Sequence, residues 1–164
     1  MKVSVAIPTY NSAKFIQATL KSVLNQSVAP AEILIVDDGS TDETIDILSS
    51  YGSSIRVIRQ SNQGVAAARN ALARNASGDL VAFLDHDDLW HPRYLETQCS
   101  GFRLHPEAVA YFAGHVNFGG YEDFQWPDKL SNIQKTAGPN QTGLKSNVTH
   151  SFYRPVKETG PLPR

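Results

Sequence analysis

The sequence predicts an α/β domain with a mostly parallel sheet that is covered by helices on both faces. Three observations lead to this prediction. Short apolar runs alternate with amphipathic helical segments in the order β-α-β-α-β-α-β-α. The links between them are short, and such alternation is typical of parallel strands joined by right-handed crossovers. The run at residues 33–36 is also continuous, as expected for a parallel strand that is covered on both faces.

The overall composition indicates one cytoplasmic domain. A chain of 164 residues fits a single domain with a sizeable core. Its net charge of -1 argues against a nucleic-acid partner, because such proteins usually present a basic face. The single Cys99 excludes an internal disulfide. We expect a cytoplasmic location, including peripheral attachment at the inner face of the membrane, and no transmembrane segment, because no apolar run approaches the required length of roughly 18 residues.

The first forty residues predict two buried strands and the helix between them. Residues 3–7 are a β-branched apolar run closed by Pro8, which predicts the first strand. Asn11 or Ser12 can cap the helix that follows. Residues 33–36 form the second apolar run and predict the second strand. The apolar stripe of the helix consists of Ile16, Leu20, Val23 and Leu24.

Three more helices and two more strands are predicted as far as residue 105. Ser40 and Glu43 have the spacing of a capping box, which predicts a helix that ends near Ser49. Residues 55–58 and 80–84 predict the third and fourth strands. The apolar stripes of the last two helices consist of Val65, Ala68, Leu72 and Ala76, and of Leu95, Cys99 and Phe102.

The pattern beyond Pro106 is less regular. Residues 109–118 predict a strand, and residues 121–126 an aromatic-rich hairpin partner for it. The segment 128–147 is rich in Asn, Gln, Thr, Gly and Pro, which indicates a long loop. Residues 151–154 predict a last short strand.

Three polar clusters directly follow predicted strands, at residues 8–11, 37–39 and 85–88. The carboxyl ends of parallel strands meet at the same edge of a sheet, and open α/β folds bind ligands at that edge. We therefore expect the three clusters to form one binding site.

The third cluster, which we call the acidic turn, is Asp85-His86-Asp87-Asp88. Carboxylates placed this close together repel one another, so they stay ionised only beside water, a basic group or a cation. No Lys or Arg occurs between Arg74 and Arg93. A divalent cation, Mg²⁺ or Mn²⁺, is therefore the expected counter-charge, bound through one or two carboxylates and substrate phosphates. The structural alternative is that Asp88 caps the next helix, which accounts for one carboxylate at most.

Four other side chains near this edge have both a functional and a structural interpretation. Asp38 can accept a hydrogen bond from a nucleobase ring N–H, or it can simply belong to a turn before a helix. Tyr10 can stack on a base or pack at the rim of the site. Arg69 can contact a base or a diphosphate oxygen, or it can be a solvated helix residue. His86 can contact a ligand or lie passively at the edge of the site.

Four motifs occur in order along the first 110 residues: VAIPTYN at 5–11, IVDDGSTD at 35–42, NQG at 62–64 with ARN at 68–70, and LDHDDLWHP at 84–92. Together they resemble the family 2 inverting glycosyltransferases of GT-A fold, in particular the N-terminal donor-binding part. The resemblance implies a Rossmann-like domain over 1–164 that is truncated at its C-terminal end. Residues 1–110 would be its nucleotide-sugar-binding half, and residues 111–164 would begin its acceptor-side half.

The resemblance implies that a sugar is transferred, with inversion, from a nucleoside-diphosphate sugar to an acceptor hydroxyl. A UDP-sugar is the favoured donor, a glycan or lipid-linked molecule of a bacterial polysaccharide is the acceptor, and Mn²⁺ or Mg²⁺ is the cofactor. Carried over by position, Asp87 and Asp88 would hold the metal. The nucleotide-binding residues would be Pro8, Thr9, Tyr10, Asp38, Arg69, Asp85, His86 and Asp87.

The general base of the reaction has no counterpart in this sequence. The family supplies an Asp or Glu from an acidic pair downstream of segments that resemble residues 152–154 and 159–160. We therefore expect the base beyond Arg164, since Glu158 precedes the expected position. Without it, the alternative function is a non-catalytic nucleotide-binding or interaction module.

Overall fold

The structure is a computed structural model that describes residues 1–113 and 151–153. Its strands are β1 (Val3–Thr9), β2 (Glu32–Asp37), β3 (Arg56–Arg59), β4 (Leu80–Phe83), β5 (Ala110–Phe112) and β6 (Ser151–Tyr153). Its helices are α1 (Ile16–Leu24), α2 (Thr44–Ser49), α3 (Val65–Asn75) and α4 (Tyr94–Leu104). The hairpin partner predicted for 121–126 and the loop predicted for 128–147 lie outside the described residues.

The six strands form one sheet in the order β3-β2-β1-β4-β6-β5. The first four strands pair in parallel around β1, whereas β6 pairs antiparallel with both β4 and β5. This arrangement confirms the predicted mostly parallel sheet. Within the described part of the chain, none of the helices is both long enough and apolar enough to cross a bilayer.

Helices cover both faces of the sheet, as predicted. All seven residues of β1 are buried, and successive side chains of a strand point to opposite faces. Val5 and Ile7 belong to an apolar cluster with residues of α1, α2 and α4. Ala6, between them, belongs to a second cluster with Ala68 and Leu72 of α3. The apolar runs of β1 and β2 therefore reflect burial on both faces, whereas β3 at the edge of the sheet is largely exposed.

The predicted N-terminal cap of α1 is wrong. The helix begins at Ile16, and no side chain caps it. Asn11 has a φ of 47°, so the chain first turns through the left-handed region. The carbonyl of Ser12, rather than its hydroxyl, then accepts the N–H groups of Phe15 and Ile16. The predicted stripe is also shorter at its other end, because Leu24 is 46% exposed.

The predicted capping box of α2 is also wrong. The helix begins at Thr44, and neither Ser40 nor Glu43 makes a side-chain capping hydrogen bond. The hydroxyl of Ser40 instead accepts the backbone N–H of Asn11, at 2.9 Å. The carboxylate of Asp42 accepts the N–H of Thr44, at 3.0 Å. A partner from another part of the chain therefore replaced the local one that the spacing had predicted.

Candidate functional site

A pocket of about 420 Å³ lies at the carboxyl edge of β1, β2 and β4. All eight side chains predicted to bind a nucleotide are among the residues that line it. Four further lining residues come from the first turns of α3 and the segment before it, and three of them, Asn62, Gly64 and Ala68, belong to the NQG and ARN motifs. The lining residues are Pro8, Thr9, Tyr10, Asp38, Asn62, Gly64, Val65, Ala68, Arg69, Asp85, His86 and Asp87.

Hydrogen bonds join the end of β1 to the end of β2 at the pocket wall. The N–H of Asp38 donates to the carbonyl of Thr9, at 2.8 Å. The side chain of Asn11 accepts the N–H of Thr41, also at 2.8 Å. Tyr10, which lies between these contacts, is 43% exposed and presents its ring beside the pocket. The backbone is thus tightly held where the aromatic side chain is available to a ligand.

Asp38 is buried, and its carboxylate is held by the segment that leads into α3. Oδ1 accepts from Gln60 Nε2 at 2.7 Å and from Gln63 N at 2.9 Å. Oδ2 accepts from Gly64 N, at 2.7 Å. Burial alone would raise the pKa of Asp38, but the three N–H donors outweigh it and the pKa is lowered. The carboxylate is therefore ionised and fixed at neutral pH.

The neighbouring Asp37 has a structural task. Its side chain is fully buried and accepts from Ser40 N and from Arg59 Nε, both at 3.2 Å. Gly39 has a φ of +82°, and a Cβ at this position would lie 3.0 Å from the backbone nitrogen of Asn62. The turn predicted here thus exists, and Asp38 belongs both to that turn and to the pocket.

Arg69 and Asp85 form an ion pair, with 2.6 Å between Nη2 and Oδ1. This corrects the argument that the acidic turn has no basic neighbour. The sequence distance is misleading, because α3 packs on the sheet and brings Arg69 beside the end of β4. Both side chains are partly exposed, at 42% and 26%, so water screens the pair and its stability contribution is about 1 kcal/mol or less. Its importance lies in its position within the pocket.

A row of polar side chains on α1 and just after its end holds the backbone of the acidic turn and the residues after it. Thr19 donates to the carbonyl of His86, at 2.7 Å. Ser22 accepts the N–H of Trp90, at 3.2 Å. Gln26 donates to the carbonyl of His91 at 2.7 Å and accepts from Leu95 N at 2.9 Å. This row was not predicted, although its spacing of three and four residues beside an apolar stripe was a signal.

We expect Thr19→Val to weaken metal-dependent nucleotide binding more than Thr19→Ser does. Valine keeps the shape of the buried side chain but leaves the His86 carbonyl without its donor, at a cost of about 1 to 3 kcal/mol. Serine keeps the donor. Titration of UDP with and without Mn²⁺ measures the effect. Equal loss of Mn²⁺ dependence in both variants would show that the hydroxyl does not position the turn.

The carboxylates of the acidic turn suit a hard divalent cation that also contacts a ligand. Among residues 1–113 and 151–153, no group of three or more His, Cys, Asp or Glu side chains could hold a metal alone. Binding through one or two carboxylates plus phosphate oxygens does not require such a group. The capping alternative for Asp88 is wrong, since α4 begins at Tyr94 without a side-chain cap. Metal binding by Asp87 and Asp88 stays a prediction.

Comparison with known proteins identifies the family. The model of "Glycosyl transferase family 2" matches residues 4–159. Chondroitin synthase from Escherichia coli is 38% identical over 189 aligned residues, which cover 98% of this chain and 27% of that protein. Residues 1–349 of S. aureus TarS have a TM-score of 0.71 and 29% identity, over 94% of this chain and 47% of theirs. The chain spans less than half the length of each of these proteins.

Similar structures also contain donors. TarS in complex with UDP-GlcNAc has a TM-score of 0.66 and 28% identity, over 94% of this chain and 45% of that one. The mannosyltransferase PcManGT from Pyrobaculum calidifontis, in complex with GDP-Man and Mn²⁺, has a TM-score of 0.55 and 28% identity. The matched region covers 66% of this chain and 34% of PcManGT. The chain therefore belongs to glycosyltransferase family 2 and has the GT-A fold.

Proposed function

We propose that the chain is the donor-binding part of a glycosyltransferase that transfers a sugar from a nucleoside-diphosphate sugar to an acceptor hydroxyl, with inversion. A UDP-sugar is the favoured donor. The observation that carries the proposal is the pocket, which collects the eight predicted side chains from four separate stretches of sequence. The likeness to TarS, which was solved with UDP and with UDP-GlcNAc, supports it.

The pocket offers a place for each part of a nucleotide. Tyr10 would stack on the base, and the ionised Asp38 would accept its ring N–H. Arg69 would contact the base or the diphosphate, since its guanidinium lines the same pocket and is oriented by Asp85. Asp85 and Asp87 match the family's Asp-X-Asp motif, and Asp87 and Asp88 would lie nearest the ribose and the metal. These roles follow from the family resemblance and from the side chains that face the pocket.

Asp87 and Asp88 would hold Mn²⁺ or Mg²⁺, because carboxylate oxygens are the ligands that both ions prefer. The presence of Mn²⁺ in the PcManGT complex supports this choice. When bound, the cation supplies positive charge beside the diphosphate, which becomes more negative as it leaves the sugar. Inversion requires the acceptor hydroxyl to attack the anomeric carbon from the face opposite the diphosphate. The general base for that hydroxyl remains predicted beyond Arg164.

The acceptor would be a glycan or a lipid-linked molecule in the synthesis of a bacterial polysaccharide. The similarity to a bacterial chondroitin synthase supports this class of acceptor. Such an acceptor is compatible with the proposed cytoplasmic location at the inner face of the membrane.

A thermal melting experiment tests the proposal. With Mn²⁺ and a nucleoside diphosphate at 100 times its Kd, binding would stabilise the folded chain by about 2.7 kcal/mol. We expect a rise in Tm with UDP, and the same experiment includes GDP and dTDP. No rise with any of the three would contradict the proposal. Sugar transfer or donor hydrolysis by the purified chain would exclude the alternative of a non-catalytic nucleotide-binding module, whereas binding alone would favour that alternative.

A further inference from the structure

We infer that Gln60 determines the nucleobase specificity of the pocket. Its side-chain amide occupies the second acceptor position of one carboxylate oxygen of Asp38, so that the carboxylate can accept only one hydrogen bond from a base, as from a base with a single ring N–H. Uracil and thymine are such bases. The inference rests on the proposed function, in which Asp38 accepts a hydrogen bond from the base. It adds the residue and the physical reason by which UDP and dTDP sugars would be preferred.

The hydrogen bonds of the Asp38 carboxylate are unequally divided between its two oxygen atoms. A carboxylate oxygen has two lone pairs and can accept two hydrogen bonds in the plane of the group. Oδ1 accepts from Gln60 Nε2 and from Gln63 N, so both of its lone pairs are used. Oδ2 accepts from Gly64 N alone among the described residues. One acceptor position therefore remains for a ligand, and it lies on Oδ2.

One acceptor position suits some bases and excludes others. Uracil and thymine present one ring N–H between two carbonyl groups, so a single acceptor satisfies them. Guanine presents a ring N–H beside an amino group, and pairing both with a carboxylate requires one free position on each oxygen. Cytosine and adenine present a ring acceptor where the N–H would be, which would face the charged oxygen. A buried polar group that a ligand leaves unpaired strongly disfavours that ligand.

Gln60 is well placed to control this choice. Its backbone N–H donates to the carbonyl of Asp37 at 3.0 Å, so the residue is anchored directly after β3. Only the amide nitrogen of its side chain can hydrogen-bond to a carboxylate, which fixes the orientation of the amide. The other two donors to Asp38 are backbone groups that every residue except proline supplies. Gln60 is thus the member of the three whose side-chain identity matters.

The wild-type chain provides the first test. Isothermal titration in Mn²⁺ compares UDP, dTDP, GDP, CDP and ADP, which share the diphosphate and differ in the base. We expect UDP and dTDP to bind at least about tenfold more tightly than the other three, the size of one hydrogen bond to a charged group. GDP binding as tight as that of UDP would overturn the inference. Failure of every nucleotide to bind would instead overturn the proposed function, and the inference with it.

The variant Gln60→Met provides the second test. Methionine keeps the length of the side chain but removes Nε2, which frees one lone pair of Oδ1. We expect the ratio of GDP to UDP affinity to rise by about tenfold. Gln63→Leu is the matched control, because the Gln63 side chain contacts Ser61 and not Asp38. A Gln60 residue that merely stabilised the fold would lower both affinities together, so an unchanged ratio in Gln60→Met would overturn the inference.

Discussion

Replacing Asp38 with alanine is expected to lower the free energy of unfolding by about 3 kcal/mol and to abolish stabilisation by UDP. The substitution leaves three N–H donors, from Gln60, Gln63 and Gly64, without their acceptor in a partly buried position. It also removes the group proposed to bind the base. Urea denaturation measures the first effect, and the rise in Tm with UDP measures the second.

Asp46→Ala is a suitable control for this experiment, because Asp46 is an exposed aspartate on α2. We expect its free energy of unfolding to stay within about 0.5 kcal/mol of the wild-type value. If Asp38→Ala were as stable as Asp46→Ala, the hydrogen bonds to Asp38 would not hold the segment before α3. If it were destabilised but still bound UDP, Asp38 would be structural only.

The same carboxylate predicts a dependence of stability on pH. The pKa of Asp38 in the folded chain lies below its ordinary value of 3.8. A lowered folded pKa means that the stabilisation is fully present above the unfolded pKa and is lost as the pH falls through the folded pKa. The difference in stability between the wild type and Asp38→Asn should therefore be constant near neutral pH. It should shrink when urea denaturation is repeated below about pH 4.

Replacing Asp87 with asparagine is expected to remove the strengthening of UDP binding by Mn²⁺. Asparagine keeps the size of the side chain, but it lacks the negative charge that makes a carboxylate a good ligand for a hard cation. Loss of a group that only orients a metal ligand typically lowers metal affinity by about 10- to 100-fold, so we expect loss of the ligand's charge to lower Mn²⁺ affinity by at least about tenfold. Titration of Mn²⁺ into the UDP-saturated chain measures the change directly.

Two further observations make the Asp87 experiment decisive. Asp46→Asn makes the same chemical change at an exposed position on α2, outside the pocket lining, and should leave the Mn²⁺ effect intact. UDP binding without metal should persist in Asp87→Asn, since Tyr10, Asp38 and Arg69 are unchanged. An Mn²⁺ effect of wild-type size in Asp87→Asn would assign the metal to other residues.

Hydrophobic patterning was a reliable guide to the elements of this fold. The four predicted strands became β1 to β4, with ends that differ by one or two residues. The stripe Leu95, Cys99 and Phe102 is buried as predicted. Such patterns are informative because burial depends on residue type and on a repeat that each element carries within itself. Ends were less accurate: the last residue of the α1 stripe, Leu24, is 46% exposed because the helix ends there.

The hydrogen-bond partners of the polar side chains were not predicted correctly from the sequence. The local spacing of Ser40 and Glu43 predicted a capping box, yet Ser40 binds the backbone of Asn11 in the β1 turn. The stretch around the acidic turn lacked a basic residue, yet α3 supplies Arg69 to Asp85. In both cases the partner is a residue that the sheet order brings near. Local spacing carries no information about which distant element will be adjacent.

The sequence by itself thus determined the fold class, the edge of the sheet at which the polar clusters meet, and the family. Only the tertiary structure decided which residues of those clusters are structural and which line the pocket. It buried Asp37 against Arg59 and left Asp38 in the pocket with one acceptor position, because the segment before α3 supplies three N–H groups. Apolar periodicity is a property of each segment, whereas the remaining hydrogen-bonding capacity of a carboxylate is a property of everything packed around it.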